Sequence, residues 1–253
     1  MLPATRCERA IVCCKDGNWS GGFAMPKYFK FEVSLLEVQP RIWRSFLLHS
    51  DATFMDLHEA IQSACGWWNY HLFLFRRATT DASSFHTADD VLAGAPSDED
   101  IDTYGKPVPD ARRNRLSPCF GKGKAQSCAY EYDFGDGWLH EIKLLDKVSL
   151  PETFVRRLLG GERAFPHEDC GGIDGYERCL ELIKTGEDPW EDEPIELLHW
   201  LDGWDPEKFD FALTKKYFDA NWHVPIKGEP VLAEAELEKM ARRQPGSLRK
   251  KRE

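Results

Sequence analysis

Tyr130-Glu131-Tyr132-Asp133-Phe134-Gly135-Asp136-Gly137-Trp138-Leu139-His140 is the stretch on which the fold turns. Tyr130, Tyr132 and Phe134 alternate with polar residues up to the glycines, and Trp138, His140, Ile142 and Leu144 alternate away from them. A period of two marks a half-buried strand. Asp136-Gly137 is a residue pair that closes tight turns, so the segment reads as an antiparallel hairpin with Gly135 and Gly137 in left-handed backbone.

Upstream, Phe29, Phe31, Val33 and Leu35 alternate with Tyr28, Lys30, Glu32 and Ser34, and Ile42, Phe46 and Leu48 line one side of a second run. The short Gln39-Pro40 connection makes these antiparallel neighbours. Thr53 with Asp56 forms a capping box, and Phe54, Leu57, Ile61 and Ala64 then recur at helical spacing until Gly66 offers a left-handed stop. Trp67 to Phe75 is aromatic and apolar and reads as a return strand. Thr79 to Lys124 turns polar, with six acids between Asp89 and Asp102 and prolines at Pro96, Pro107, Pro109 and Pro118, so it reads as an insertion with a short helix at Ala88 to Leu92.

Downstream, Asp174 and Glu177 suggest a helix N-terminus with Tyr176, Cys179, Leu180 and Ile183 as its buried stripe. Pro194 and Pro206 occupy the first position of two further helices, Ile195 to Leu201 and Glu207 to Ala220. Val231 to Arg243 reads as one more. The sum is an α+β fold: a largely antiparallel sheet with a strand-strand-helix-strand start, a central hairpin, and helices packed on one side. Three parts follow: an N-terminal extension over 1–25, the domain over 26–222 with its insertion at about 79–124, and a C-terminal helix with a basic tail over 223–253.

The chain has 253 residues and 29.1 kDa, with 42% hydrophobic and 30% charged residues. That balance excludes a wholly disordered chain and leaves enough length for a real core. A formal net charge of −10 argues against a protein devoted to coating nucleic acid, although Arg242, Arg243, Arg249, Lys250, Lys251 and Arg252 would allow a nucleic-acid contact through the tail. No run is long and apolar enough for a membrane span and Met1 to Ala10 lacks a secretory core, which points to a cytoplasmic protein without a membrane partner. The eight cysteines show no zinc-ribbon spacing and read as reduced thiols. Most of the tryptophans read as core. Trp67 or Trp68 exposed beside Tyr70 would instead mark a recognition groove for a protein segment or a base.

Four segments in order carry a resemblance: Pro40-Arg-Ile-Trp-Arg44; Leu57-His58 leading through Gly66-Trp67 to His71-Leu-Phe73; Tyr132-Asp-Phe-Gly-Asp-Gly-Trp138 with His140; and Glu168-Asp-Cys-Gly-Gly172 with Gly175-Tyr176. Together they resemble the plasmid pRiA4b open-reading-frame-three-like family, relatives of which travel as passengers of insertion sequences. The likeness runs from about Lys27 to Ala220, with Asp205 to Asp210 similar to that family's closing helix. It implies a compact α+β domain and no established activity. His167 stands where the family pattern leads one to expect a second proline.

The candidate site residues come from these motifs: His71, Asp133, Asp136, Trp138, His140, Glu168, Asp169 and Cys170. Carboxylates and imidazoles are ligands for divalent metals, so two loops brought together would let Asp136, His140, Glu168 and Asp169 hold one, with His71 completing the set. The same residues also read as turn formers and caps: Asp136 in its turn, Glu168 or Asp169 on backbone amides ahead of the Asp174 helix. Cys170 with His140 or His167 would make a thiolate and base, and Gly171-Gly172 ahead of a helix would cradle an anion. Two functions follow: a non-enzymatic binding or accessory protein whose partner is a protein or peptide, or a metal-dependent hydrolase, with nucleic acid as one substrate class. No cofactor is required by the first; a divalent metal is required by the second.

Overall fold

The computed structural model describes residues 25–77, 91–95, 108–121, 126–190, 195–222 and 232–241. The expected N-terminal extension, Met25 apart, and the basic tail lie outside them. In chain order the elements are β1 (Lys27–Leu35), β2 (Trp43–His49), α1 (Phe54–Cys65), β3 (Phe73–Arg77), β4 (Val91–Gly94), α2 (Ser117–Phe120), β5 (Ser127–Tyr132), β6 (Trp138–Ser149), β7 (Arg156–Glu162), α3 (Gly172–Thr185), α4 (Ile195–Leu201), α5 (Phe211–Asp219) and α6 (Glu234–Ala241). The strands form one seven-stranded sheet in the order β4-β3-β5-β6-β1-β2-β7, every pairing antiparallel. The class is α+β.

The alternation read from the sequence decides which face is covered. Phe29, Phe31, Val33 and Leu35 of β1 and Trp138, Ile142 and Leu144 of β6 join Leu57, Ala60 and Ile61 of α1, Tyr176 of α3 and Phe218 of α5 in one buried cluster. Burying each such aromatic contributes about 1.5–3 kcal/mol. On the opposite face, among the described residues, Tyr28, Leu47 and Phe154 form a small cluster, with Tyr28 and Phe154 rings stacked at 4.1 Å. Helix α1 starts on the expected capping box, Thr53 with Asp56, and stops at Gly66 at φ 82°.

Several boundaries differ from the sequence reading. Trp67 to Leu72 is a loop, and only Phe73 begins β3, because side chains rather than a neighbouring strand take the loop's amides. Of the helix expected at Ala88 to Leu92, residues 88–90 lie outside the described set, while Val91 and Leu92 belong to β4, with Val91 paired to Arg76 of β3 and Leu92 at a register shift. The insertion also feeds the core, through Ala93, Ala111, Leu116 and Phe120. The hairpin turn is longer than Asp136-Gly137. Tyr132 pairs with Trp138, Asp133 to Gly137 forms the connection, and Phe134 is exposed in it rather than part of the strand. Gly137 has the expected φ of 69°, but the second left-handed position is Asp133 at 55°, not Gly135.

Helix α3 begins at Gly172 with Gly171 as its cap, so Asp174 lies inside the first turn. That phase buries Tyr176, Cys179 and Leu182 and leaves Ile183 exposed. Asp205 and Pro206 form a separate turn, in which the Asp205 carboxylate accepts from the Glu207 amide at 3.0 Å. Asp210 then caps α5 by accepting from Leu213 N at 2.9 Å. Among the described tryptophans only Trp67 and Trp138 are buried; Trp190 and Trp200 are exposed.

Candidate functional site

Three loops meet at one end of the hairpin: Trp67 to Leu72 after α1, Asp133 to Gly137 between β5 and β6, and Pro166 to Gly171 before α3. Trp67 ties the first to the third. Its indole stacks on Tyr132 with ring centres 5.3 Å apart, packs on Trp138 and Phe165, and donates through Nε1 to the Pro166 carbonyl at 2.9 Å. The second and third loops meet where Asp136 Oδ2 accepts from Gly171 N at 3.0 Å. Gly172 is required there: at φ 67°, a Cβ on it would lie 2.5 Å from the Asp136 carbonyl oxygen.

Glu168 serves the scaffold. Its carboxylate accepts from Trp68 N at 2.5 Å and from the Tyr132 hydroxyl, which itself accepts from Tyr70 N at 3.0 Å and His71 N at 3.3 Å. Burial first, and the adjacent Glu168 second, push the Tyr132 hydroxyl well above its ordinary pKa. Motif position predicts Glu168 or Asp169 on amides ahead of α3, whereas Glu168 caps the Trp68 amide of the Trp67 to Leu72 loop.

What this scaffold presents is His71. Its Nε2 donates to Asp169 Oδ1 at 2.6 Å and lies 3.6 Å from Asp133 Oδ2. Asp133 is nearly buried and Asp169 is open, with 11% and 56% of their side chains exposed, and His71 lies between at 32%. Burial lowers the His71 pKa, but the Asp169 hydrogen bond and the charges of Asp133, Asp169 and Glu168 outweigh it, so the net shift is upward. Both aspartates hold left-handed backbone, φ 55° and 65°, a conformation that Asp tolerates better than most side chains. One ligand atom each from His71, Asp133 and Asp169 lies within 4.8 Å of the others, a spacing that would admit one cation. Tyr70 and Leu72, which flank His71 in sequence, and Phe134, which follows Asp133, are 71%, 51% and 49% exposed.

The other expected site residues are elsewhere or otherwise engaged. Trp138 and His140 point into the core and are fully buried. The His140 ring donates through Nδ1 to the Trp138 carbonyl at 3.2 Å, and burial pulls its pKa down to about 4. The set Asp136, His140, Glu168 and Asp169 is therefore not brought to one point, because the even-numbered residues of β6 face the core whereas the turn faces outward. Cys170 packs against the main core and against the cluster of Cys179, Leu182 and Leu201, its Sγ lies 3.8 Å from the Gly172 carbonyl oxygen, and the neighbouring Cys179 thiol and then burial push its own thiol up, the reverse of an activated nucleophile. His167 lies between Trp200 and Trp204, and burial lowers its pKa. Trp68 is half-buried beside exposed Tyr70.

A buried network escaped the sequence reading. The Tyr130 hydroxyl donates to His58 Nδ1 at 2.7 Å and accepts from Gln62 Nε2 at 3.0 Å. His58 Nε2 donates to Asn69 Oδ1 at 2.6 Å, and Asn69 N donates to Gln62 Oε1 at 3.0 Å. His58 also stacks on Phe73 at 3.7 Å, and burial pulls its pKa down to about 3. The signal was the spacing of His58 and Gln62, four apart and hence on one helix face beside the apolar stripe.

Residues 27–213 match the family described as plasmid pRiA4b ORF-3-like protein. The chain is 32% identical over 198 residues to the uncharacterized protein y4hQ of Sinorhizobium fredii (strain NBRC 101917 / NGR234), covering 76% of this chain and 93% of that one. It is also similar to the crystal structure of a protein of unknown function, MM3350 from Methanosarcina mazei Go1, with a TM-score of 0.59, 31% identity, and coverage of 74% of this chain and 96% of that one. Among the described residues, no helix is long and apolar enough to cross a membrane.

Proposed function

The chain belongs to the plasmid pRiA4b ORF-3-like family, and from that premise we propose that it is a non-enzymatic binding or accessory domain that takes a protein or peptide segment at the three-loop junction. The observation that carries this reading is the pairing of fixed carboxylates, Asp133 and Asp169, with the exposed apolar side chains of Tyr70, Leu72 and Phe134 beside them in sequence. Such a surface suits a basic side chain: carboxylates supply charge-assisted hydrogen bonds, aromatic rings supply cation–π and apolar area, and the loops beneath are already ordered. The test is titration of the full chain with an arginine-rich peptide and with the same peptide carrying glutamine for arginine. Binding to the first alone, weakened by Asp169→Asn and by Tyr70→Ala, supports the reading. Equal affinity for both peptides, or binding indifferent to both substitutions, overturns it.

A second reading has its own observation, the convergence of His71, Asp133 and Asp169 within 4.8 Å. A divalent metal there would supply the Lewis acid of a metal-dependent hydrolase, with nucleic acid as one substrate class. Titration with Mn²⁺ and Zn²⁺ separates the two readings: one tight equivalent lost on Asp133→Asn favours the hydrolase, and no saturable uptake favours the binding domain.

A further inference from the structure

We propose that the groove between α3 and its return segment, residues 186–190, is a second docking site, which takes a lysine- or arginine-bearing segment of a partner protein packed against Trp190. The groove spans about 780 Å³, and its walls include Asp174, Glu177, Arg178, Glu181 and Lys184 on α3 and Trp190 across from them. Local chemistry builds both walls. Gly186, at φ 78°, stops α3, and the Thr185 hydroxyl accepts from Glu187 N at 3.1 Å, so the chain reverses. About two turns back along the helix, the Arg178 guanidinium donates through Nε to Asp188 at 2.8 Å, and Asp188 Oδ1 accepts in turn from Trp190 N at 3.0 Å. Trp190 is thereby set beside Arg178, its ring centre 4.9 Å from the guanidinium carbon, yet it stays 57% exposed. An indole held by polar contacts rather than by a core is suited to anchor a partner: its apolar area is still unburied, and its position is already ordered.

Charge on the groove selects the partner. Arg178 pairs with Asp188, and Lys184 with Glu181 at 3.1 Å, whereas Asp174 and Glu177 are exposed and hold no ion pair among the described residues. Asp174, in the first turn, suits the helix dipole. Glu177 has no such ground and lies four residues from Glu181, a spacing at which like charges on a helix repel. A cationic side chain relieves that repulsion, while a phosphate backbone or an acidic peptide adds to it. From Asp174 to Glu181 the helix rises about 10 Å, which an extended segment covers with about three residues at roughly 3.3 Å each. The matching pattern is one apolar side chain on Trp190 with basic side chains on the acids beside it. The groove shares no lining residue with the three-loop junction, and the proposal does not depend on what that junction binds.

The test is titration of the full chain with the labelled peptide Gly-Lys-Leu-Lys-Gly and with its glutamine-for-lysine counterpart. Fluorescence anisotropy gives the affinity, and the Trp190 indole N–H signal, identified by its loss in Trp190→Phe, reports the place. The lysine peptide alone is expected to shift that signal saturably, with added salt weakening the binding. Trp190→Ala should lower the affinity about tenfold or more, and Asp174→Asn and Glu177→Gln about two- to fivefold each. All three side chains are exposed, so the variants keep the fold. A Trp190 signal that ignores the peptide, an equal response to both peptides, or an affinity indifferent to Trp190→Ala overturns the proposal. So does a Trp190 signal that moves with protein concentration alone, since a second copy of the chain would then occupy the groove.

Discussion

Two histidines approach the hairpin from the same side of the chain and meet opposite fates. His58, on α1, is sealed beneath the loops with both ring nitrogens matched, donor to acceptor, by Tyr130 and Asn69, which Gln62 holds in turn. His71, at the end of the loop that starts at Trp67, faces two carboxylates at the surface. Burial drives the first pKa down to about 3, while neighbouring charge moves the second above its ordinary value. A closed network spends its hydrogen-bonding capacity on holding one structure; an open cluster keeps acceptor capacity that a ligand can take up. Residue type is the same in both places, and desolvation decides which role it plays.

The largest expected effect is the loss of stability in acid. His58 and His140 are neutral in the folded chain with pKa values of about 3 and about 4, and ordinary in the unfolded chain at about 6.5. Below about pH 6 the unfolded state therefore binds protons that the folded state refuses, so stability falls as pH falls. Each histidine contributes up to about 1.4 kcal/mol per pH unit until the folded pKa is reached. Denaturant melts at pH 7, 6 and 5 check this, and a flat profile would break the closed half of the comparison. His71 has the opposite sign. Its raised pKa gives stability that is fully present below about pH 6.5 and lost as pH rises through the folded value.

Next in size is His58→Ala. It removes the stack on Phe73 and strands the Tyr130 hydroxyl and Asn69, at about 3 kcal/mol. Gly172→Ala should cost about 2 kcal/mol, because the new Cβ meets the Asp136 carbonyl and the backbone is left-handed. Gly137→Val, at φ 69° but with open space around it, should cost about 1 kcal/mol, from backbone conformation alone. The smallest effect on stability is expected for Asp169→Asn, within about 0.5 kcal/mol, since its side chain is 56% exposed. The same substitution should lower the His71 pKa, which an NMR titration reads directly. A melt shifted as far as that of His58→Ala would make Asp169 a structural residue and blunt the contrast.

The sheet was legible because alternation along β1, β2, β5 and β6 follows from burial of one face, and the Thr53 box and Gly66 stop are local chemistry that the chain reports directly. Boundaries failed where tertiary partners outweighed local pattern. Trp67 to Leu72 has the composition of a strand but gives its amides to Tyr132, Gln62 and Glu168. Val91 pairs with Arg76 of β3, and Leu92 continues that strand at a register shift in place of a helix.

For the site, the motif residues were visible, but their faces were not. Asp133 opens the connection and His140 follows it on β6, and a connection of five residues, not two, turns the first toward His71 and the second into the core. His71 with Asp133 and Asp169 could be paired only once three separate loops were in place. The His58 network needed a partner on β5, distant in sequence, which helical spacing alone does not supply.

The most direct test of an open junction beside a closed one is the imidazole nitrogen NMR spectrum of the full chain, recorded against pH and then with an arginine-rich peptide added. The His58 ring is expected to keep its proton on Nε2, stay neutral to the acid limit of folding and ignore the peptide. The His71 ring is expected to titrate above the ordinary histidine value and to shift on addition of the peptide, with the peptide response lost in Asp169→Asn. A His71 ring that titrates at or below the ordinary value and does not respond to the peptide would contradict the open junction.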